Sequence, residues 1–111
     1  MSKYNAKPVE IDGIRFDSMS EGYRYSELKL LQRAGEIRGF HLQPSFRFNS
    51  GVRYRPDFII FGKDGSVWCE DAKSEGTITA VFRVKYKTWR NEYPYLELRV
   101  VDKYGNRMEV V

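Results

Sequence analysis

Cysteine, histidine and long apolar runs are nearly missing from this chain of 111 residues. The single cysteine, Cys69, excludes an internal disulfide framework and a thiolate zinc site, and a reducing, cytosolic setting is the expectation. The single histidine, His41, is read as a hydrogen-bonded surface group and receives no role. No apolar run reaches half a membrane span, and the opening segment lacks an apolar signal-peptide core, so neither a spanning helix nor export is expected. Repeats, low-complexity tracts and linkers are absent as well, so residues 1–111 are read as one domain. A chain this short has no room for separate catalytic and binding domains, and chemistry and substrate contact must share one surface.

What the sequence does have is aromatic bulk: eight Tyr, seven Phe and two Trp, enough to build a packed core and to exclude a disordered chain. The net charge of +4 supports only a general affinity for polyanions, but its distribution says more. Residues 37–56 carry Arg38, Arg47, Arg53 and Arg55 with no acid. Residues 57–79 then hold Asp57, Asp64, Glu70, Asp71 and Glu75 against only Lys63 and Lys73, and basic side chains dominate again after residue 80. An acidic island between basic flanks suits a cation site that faces a polyanion. Ordinary scatter of surface charge is the competing explanation.

Val9 to Phe16 alternates around Asp12-Gly13 and predicts an N-terminal hairpin, within an appended segment 1–16. Ser18-Met19-Ser20-Glu21 is a capping-box pattern opening a helix to about Ala34, ended by Gly35, with Tyr25, Leu28 and Leu31 on its core face. Ile37 to Leu42 and Phe46 to Phe48 read as extended. Tyr54 to Phe61 and Ser66 to Lys73 read as two central strands around the turn Lys63-Asp64-Gly65, apolar on both faces and so covered on both. Thr79 caps a second helix to about Asn91, with Phe82, Tyr86 and Trp89 in one stripe and Arg83, Lys87 and Arg90 in the next. Tyr95 to Val101 and a short segment after Asn106 complete the order ββ-α-βββ-α-β(β). The fold class is α/β (α+β), a central mixed β-sheet flanked by helices.

The turn at Asp64 yields a register prediction. Asp57 and Asp71 lie equally far on either side of it, so with Asp64 at the tip the two aspartates oppose each other across antiparallel strands, and an asymmetric loop would offset them by one residue. Like charges so placed are destabilising unless something neutralises them. Lys73 and Cys69 share the face of Asp71, whereas Glu70 and Ala72 point the other way. Two hard carboxylates beside an ammonium suit a divalent cation that activates water next to a phosphodiester. Stepping back one turn from Tyr25 reaches Glu21, which either bonds back to the Ser18 amide or adds an oxygen to the cation.

Arg55-Pro56-Asp57 followed by Glu70-Asp71-Ala72-Lys73 resembles the PD-(D/E)XK nuclease superfamily, with Pro56-Asp57 as the first half of its motif and Asp71-Ala72-Lys73 as the second. With Glu21 on the preceding helix and the segment Gln43-Pro44-Ser45-Phe46, the chain is most similar to the short phage-type endonucleases and Holliday-junction resolvases of that group. The resemblance spans residues 17–100 but rests on few specific positions. It implies a restriction-endonuclease-like core and phosphodiester hydrolysis with Mg2+ or Mn2+. It also implies metal roles for Asp57, Asp71 and Glu21, a further ligand in the Ala72 carbonyl, and a catalytic role for Lys73. Glu70 is the alternative second acid, but the one-residue spacer before Lys73 and the face argument select Asp71.

The function expected on these grounds is a metal-dependent endodeoxyribonuclease acting on branched or structured DNA in phage DNA metabolism, in the host cytoplasm. Homodimerisation is expected by analogy, because a four-way junction has two-fold symmetry. Arg53, Arg55, Arg83, Lys85, Lys87 and Arg90 are the candidate DNA contacts, with a solvated helix face as the plain alternative for the helical ones. A non-catalytic DNA-binding accessory module with the same fold, or an RNA nuclease, are the other readings.

Overall fold

The computed structural model describes residues 7–111, so of the segment 1–16 read as an appended hairpin, residues 1–6 lie outside the described residues. Strands β1 (Val9–Ile11) and β2 (Ile14–Phe16) pair antiparallel through a turn at Asp12 and Gly13, whose φ values of 55° and 78° give the two left-handed residues of a type I′ hairpin. Helix α1 (Met19–Arg33) starts at Ser18, whose Oγ accepts the Glu21 N–H at 3.2 Å. It ends with Gly35 at φ 78°, where Gly35 N–H reaches the Gln32 carbonyl and Glu36 N–H the Leu31 carbonyl, the paired bonds of a Schellman cap.

The remaining elements are β3 (Ile37–Leu42), β4 (Phe46–Arg47), β5 (Arg53–Tyr54), β6 (Phe58–Gly62), β7 (Val67–Ala72), a 3-10 turn at Glu75–Thr77, α2 (Ala80–Glu92) and β8 (Leu98–Val101). The central sheet has the order β3-β6-β7-β8, with β3-β6 and β6-β7 antiparallel and β7-β8 parallel. A parallel pair needs a crossover, and α2 supplies it. Strands β4 and β5 form a separate two-stranded ribbon.

Each face of the sheet has its own apolar layer. On one, Tyr25 and Leu28 of α1 pack with Phe16, Ile37, Phe58, Ile60, Ala72 and Val101. On the other, Phe82 and Trp89 of α2 and Phe48 and Tyr54 of the ribbon pack with Cys69, Leu98 and Val100. Burying the middle strands on both sides explains why their sequences lack polar alternation. Leu31 is only half-buried, so the core stripe of α1 centres on Tyr25 and Leu28. Gly22 lets β1 close on α1, since a Cβ there would meet Val9 Cγ1 at 2.7 Å.

Four expected strands differ. Tyr54 to Phe61 is not continuous: Tyr54 ends the ribbon and Phe58 begins the sheet strand. Pro56 between them has no N–H to give a ladder, and the Asp57 N–H is taken by the Asp71 carboxylate. Phe46 to Phe48 accordingly lies outside the central sheet. The strand expected from Tyr95 starts at Leu98, because Leu96 N–H bonds to the Tyr93 carbonyl and the Trp89 indole N–H to the Leu96 carbonyl, folding residues 93–96 into a turn. The final strand is reduced to a single bridge between Val101 and Arg107. No helix among the described residues is long and apolar enough to cross a membrane.

Candidate active site at the end of the central strands

The register across the Asp64 turn is the one expected from equal spacing: Phe58 faces Glu70, Ile59 faces Cys69, Ile60 faces Trp68 and Phe61 faces Val67. The turn is tightened by Asp64 Oδ1, which accepts from both the N–H and the hydroxyl of Ser66, at 3.0 and 2.6 Å. One step beyond the last pair, Asp57 and Asp71 come together as the register requires. They meet through backbone: Asp57 N–H donates to Asp71 Oδ1 at 2.9 Å, and Asp57 Oδ2 accepts the Ala72 N–H at 2.8 Å. Asp71 Oδ2 accepts the Tyr54 hydroxyl. Each aspartate is thus held by donors that the sheet would otherwise spend on its own ladder.

Asp57, Asp71 and Lys73 line a cavity of about 220 Å³ with Tyr54, Arg55, Thr79, Phe82 and Lys85. Lys73 Nζ sits 4.5 Å from the centre of the Phe82 ring, in the cavity that the two residues share with the carboxylates. Lys73 also borders a second cavity, about 200 Å³, with Glu21, Asp17, Ser18, Ser20, Ala72, Ser74 and Thr77. Lys73 is thus common to the cavity that holds the aspartate pair and the one that holds Glu21. The Glu21 carboxylate does not return to the Ser18 amide among the described residues, so only one arm of the capping box is made and the acid remains available.

Electrostatics follow from this crowding. Burial, and then the charges of Asp71 and Glu21, push the Asp57 carboxyl well above the usual carboxylate range. Burial also raises Asp71, against the opposing effects of the Tyr54 hydrogen bond, Lys73, the Asp57 amide and Lys85. Glu21 is pushed up to about 7 by burial and by Asp17 and Asp71, with Lys73 acting against them. The Cys69 thiol, buried under the same site, is raised to about 12, so it is an inert apolar filler.

The candidate cation ligands need a direct test against this geometry. Among the described residues no group of three or more His, Cys, Asp or Glu side chains is arranged to hold a metal ion. The two aspartates form a pair and Glu21 borders the neighbouring cavity, so a ready three-carboxylate cage is not what the fold builds. Two hard carboxylates beside a small polar cavity do fit Mg2+ or Mn2+, since Mg2+ keeps several waters and takes only one or two protein carboxylates. Of the four aspartate oxygens, Asp57 Oδ1 is the one without a hydrogen bond among the described residues.

The expected basic residues divide. Arg55 and Lys85 join the acidic pair in its cavity. Arg53 lies on the ribbon and bonds to Ser45 Oγ. Arg90 lines a different cavity with Tyr86, Trp89 and Tyr93, and neither Arg83 nor Lys87 borders the aspartates' cavity. None of the stripe residues at positions 83, 87 and 90 borders the aspartates' cavity, and Lys85, between them, is the residue that does. Tyr86, Phe82 and Trp89 pack into the core layer as expected.

Two buried polar residues escaped the sequence reading. Tyr54 is hidden because the strand pattern places it at a strand start; the signal was a buried aspartate pair in need of a donor, with a phenol three residues before Asp57. Arg24 is the other. It is 7% exposed and forms a two-pronged pair with Glu70, itself 1% exposed, at 2.7 and 2.8 Å. The Trp68 indole N–H also donates to Glu70, at 2.9 Å. Glu70 thus faces α1 and is fully engaged, whereas Asp71 faces the site. Neither a curated protein nor a solved structure matches the chain. A family model does, over residues 1–106, and the chain belongs to the family described as "Protein of unknown function (DUF1064)".

Proposed function

We propose that this chain is a metal-dependent endodeoxyribonuclease with a restriction-endonuclease-like core of the PD-(D/E)XK kind, hydrolysing phosphodiesters in branched or structured DNA. The observation that carries the proposal is the Asp57–Asp71 pair, a half-buried and a buried carboxylate joined through the Asp57 and Ala72 amides, with Lys73 in the same cavity. Such an arrangement costs stability in the free protein and gains a purpose only when a cation and a substrate enter. Further support comes from the sheet, whose two antiparallel middle strands bring both halves of the motif to the same end.

Asp57 and Asp71 would hold Mg2+ or Mn2+, with Glu21 reaching it through water and the Ala72 carbonyl as a further oxygen. The cation supplies Lewis acidity and a more acidic water. The chain's own residues do the rest. Lys73, over the Phe82 ring in the carboxylates' cavity, would orient the attacking water and oppose the charge that grows on the pentavalent phosphate. Lys85 and Arg55 bind the flanking phosphates from the rim of the cavity. A second copy of the chain completes a two-fold assembly on a junction.

The test is incubation with four-way-junction, duplex and single-stranded DNA, and with RNA, in Mg2+ or Mn2+, beside Asp71→Asn and Lys73→Ala. Junction cleavage that both variants lose supports the proposal. Absence of cleavage by the wild type, or equal cleavage by the variants, defeats it, and binding without cutting indicates an accessory module. Sedimentation on and off DNA decides the dimer.

A further inference from the structure

The ribbon β4-β5 is an addition to the central sheet whose purpose the fold alone does not explain. It ends on Tyr54, and Tyr54 is held with unusual thoroughness. Its ring stacks on Phe48 at 5.8 Å between centroids, lies edge-on to Trp89 at 6.0 Å and carries Lys85 Nζ 5.9 Å above it. Only 8% of the residue is exposed. A phenol with two side-chain torsions, packed in this way, cannot turn its hydroxyl elsewhere. That hydroxyl donates to Asp71 Oδ2, on the carboxylate whose other oxygen accepts the Asp57 N–H.

From this geometry we infer that Tyr54 is a positioning residue for the cation site. It pins the Asp71 carboxylate so that its remaining lone pairs and Asp57 Oδ1, unbonded among the described residues, are turned together toward one ion. The inference rests on the metal-dependent reading above. A carboxylate oxygen offers about two lone-pair sites, so the phenol occupies one and leaves another on the same oxygen. Outer-shell donors of this type orient ligands and tune their basicity, and losing one costs about 10- to 100-fold in metal affinity. Separation of the ribbon from the sheet then has a reason: a strand running straight from Tyr54 to Phe61 would carry Tyr54 along the sheet, and the break at Pro56 lets the phenol fold back over the site.

The experiment is Mn2+ binding by titration calorimetry to wild type, Tyr54→Phe and Asp71→Asn, with circular dichroism and thermal unfolding of each. Tyr54→Phe keeps the ring and removes only the hydroxyl. Wild type is expected to bind, Asp71→Asn to lose binding, and Tyr54→Phe to bind about 10- to 100-fold more weakly while its fold is unchanged. In parallel, Mg2+ titrated into wild type is expected to give a saturating tyrosine ultraviolet difference spectrum that Asp71→Asn lacks. If Tyr54→Phe binds Mn2+ as tightly as wild type, the positioning role is overturned and the metal site stands. Should that variant not fold, the wild-type difference spectrum decides: its presence supports the role and its absence in the metal-bound protein overturns it. Wild type that binds no Mn2+ overturns the metal-dependent reading itself, and the role of Tyr54 with it.

Discussion

The Arg24 guanidinium and the Glu70 carboxylate form a buried two-pronged pair, Nε to Oε1 at 2.7 Å and Nη2 to Oε2 at 2.8 Å, that joins α1 to β7 immediately before Asp71. Arg24 Nη1 also bonds Glu27 at 2.5 Å, and Gly105 packs so closely that a Cβ there would meet Nη1 at 2.3 Å. The pair sets the height of α1 on the sheet. Because Glu21 lies one turn before Arg24, and Asp71 one residue after Glu70, it also sets which acids approach each other.

Removing one partner leaves the other charge buried without its main counterion, so Glu70→Leu is expected to cost about 3–5 kcal/mol in urea denaturation. The double variant Arg24→Met with Glu70→Leu should recover most of that loss, because a well-packed apolar pair replaces a buried ion pair at little or no net cost. A double variant no more stable than the single one would show that an apolar pair cannot replace the charged one here.

Asp57→Asn is expected to separate binding from cleavage. The asparagine carbonyl can still accept the Ala72 N–H, so the local fold persists, while the charge next to the phosphate disappears. DNA binding should be equal or tighter and cleavage lost. Lys73→Ala should lower the cleavage rate about 10²- to 10⁴-fold under single-turnover conditions. Both are read by electrophoretic binding and product formation on the same substrate.

The stability of the metal-free protein should fall as pH rises. Glu21 is shifted from 4.5 to about 7, and Asp57 and Asp71 are raised in the same direction. Across that window the folded state holds protons that the unfolded chain has released, so the slope of unfolding free energy with pH is negative. Thermal unfolding from pH 5 to pH 8 checks the sign, and Glu21→Gln should flatten the curve. At pH 8, Mn2+ at about 100 times its dissociation constant should restore about 2.7 kcal/mol.

Lys85 and Lys87 stand two positions apart on α2, and only Lys85 borders the aspartates. Lys85→Ala should therefore weaken DNA binding and reduce the slope of log affinity against log salt by about 1, whereas Lys87→Ala should do neither. Equal effects from the two would mean that the DNA lies along the outer face of α2.

Local rules sufficed for much of the chain. The hairpin at Asp12-Gly13, the Ser18 and Thr79 caps, the Gly35 stop and the pairing across Asp64 depend on neighbours in sequence, and all can be read from it. The approach of Asp57 to Asp71 belongs here too, because a symmetric turn at Asp64 puts the two equally spaced residues opposite each other, and the turn that forms is the symmetric one. The segmental charge pattern pointed to the same two residues, but could not say which of the flanking arginines and lysines accompany them.

Tertiary structure decided the rest, for reasons of distance and burial. The break between Tyr54 and Phe58 arises because a side chain distant in sequence, Asp71, takes the backbone donor that a continuous strand would have used. The pairing of Arg24 with Glu70 required knowing which face of the sheet α1 covers, and the choice of Lys85 over the stripe at 83, 87 and 90 required the angle at which α2 lies on the other face. The sequence by itself determined that two carboxylates and a lysine would meet. Packing determined what holds them there: the Tyr54 phenol, two backbone amides, and an acid on α1 in the cavity next to theirs.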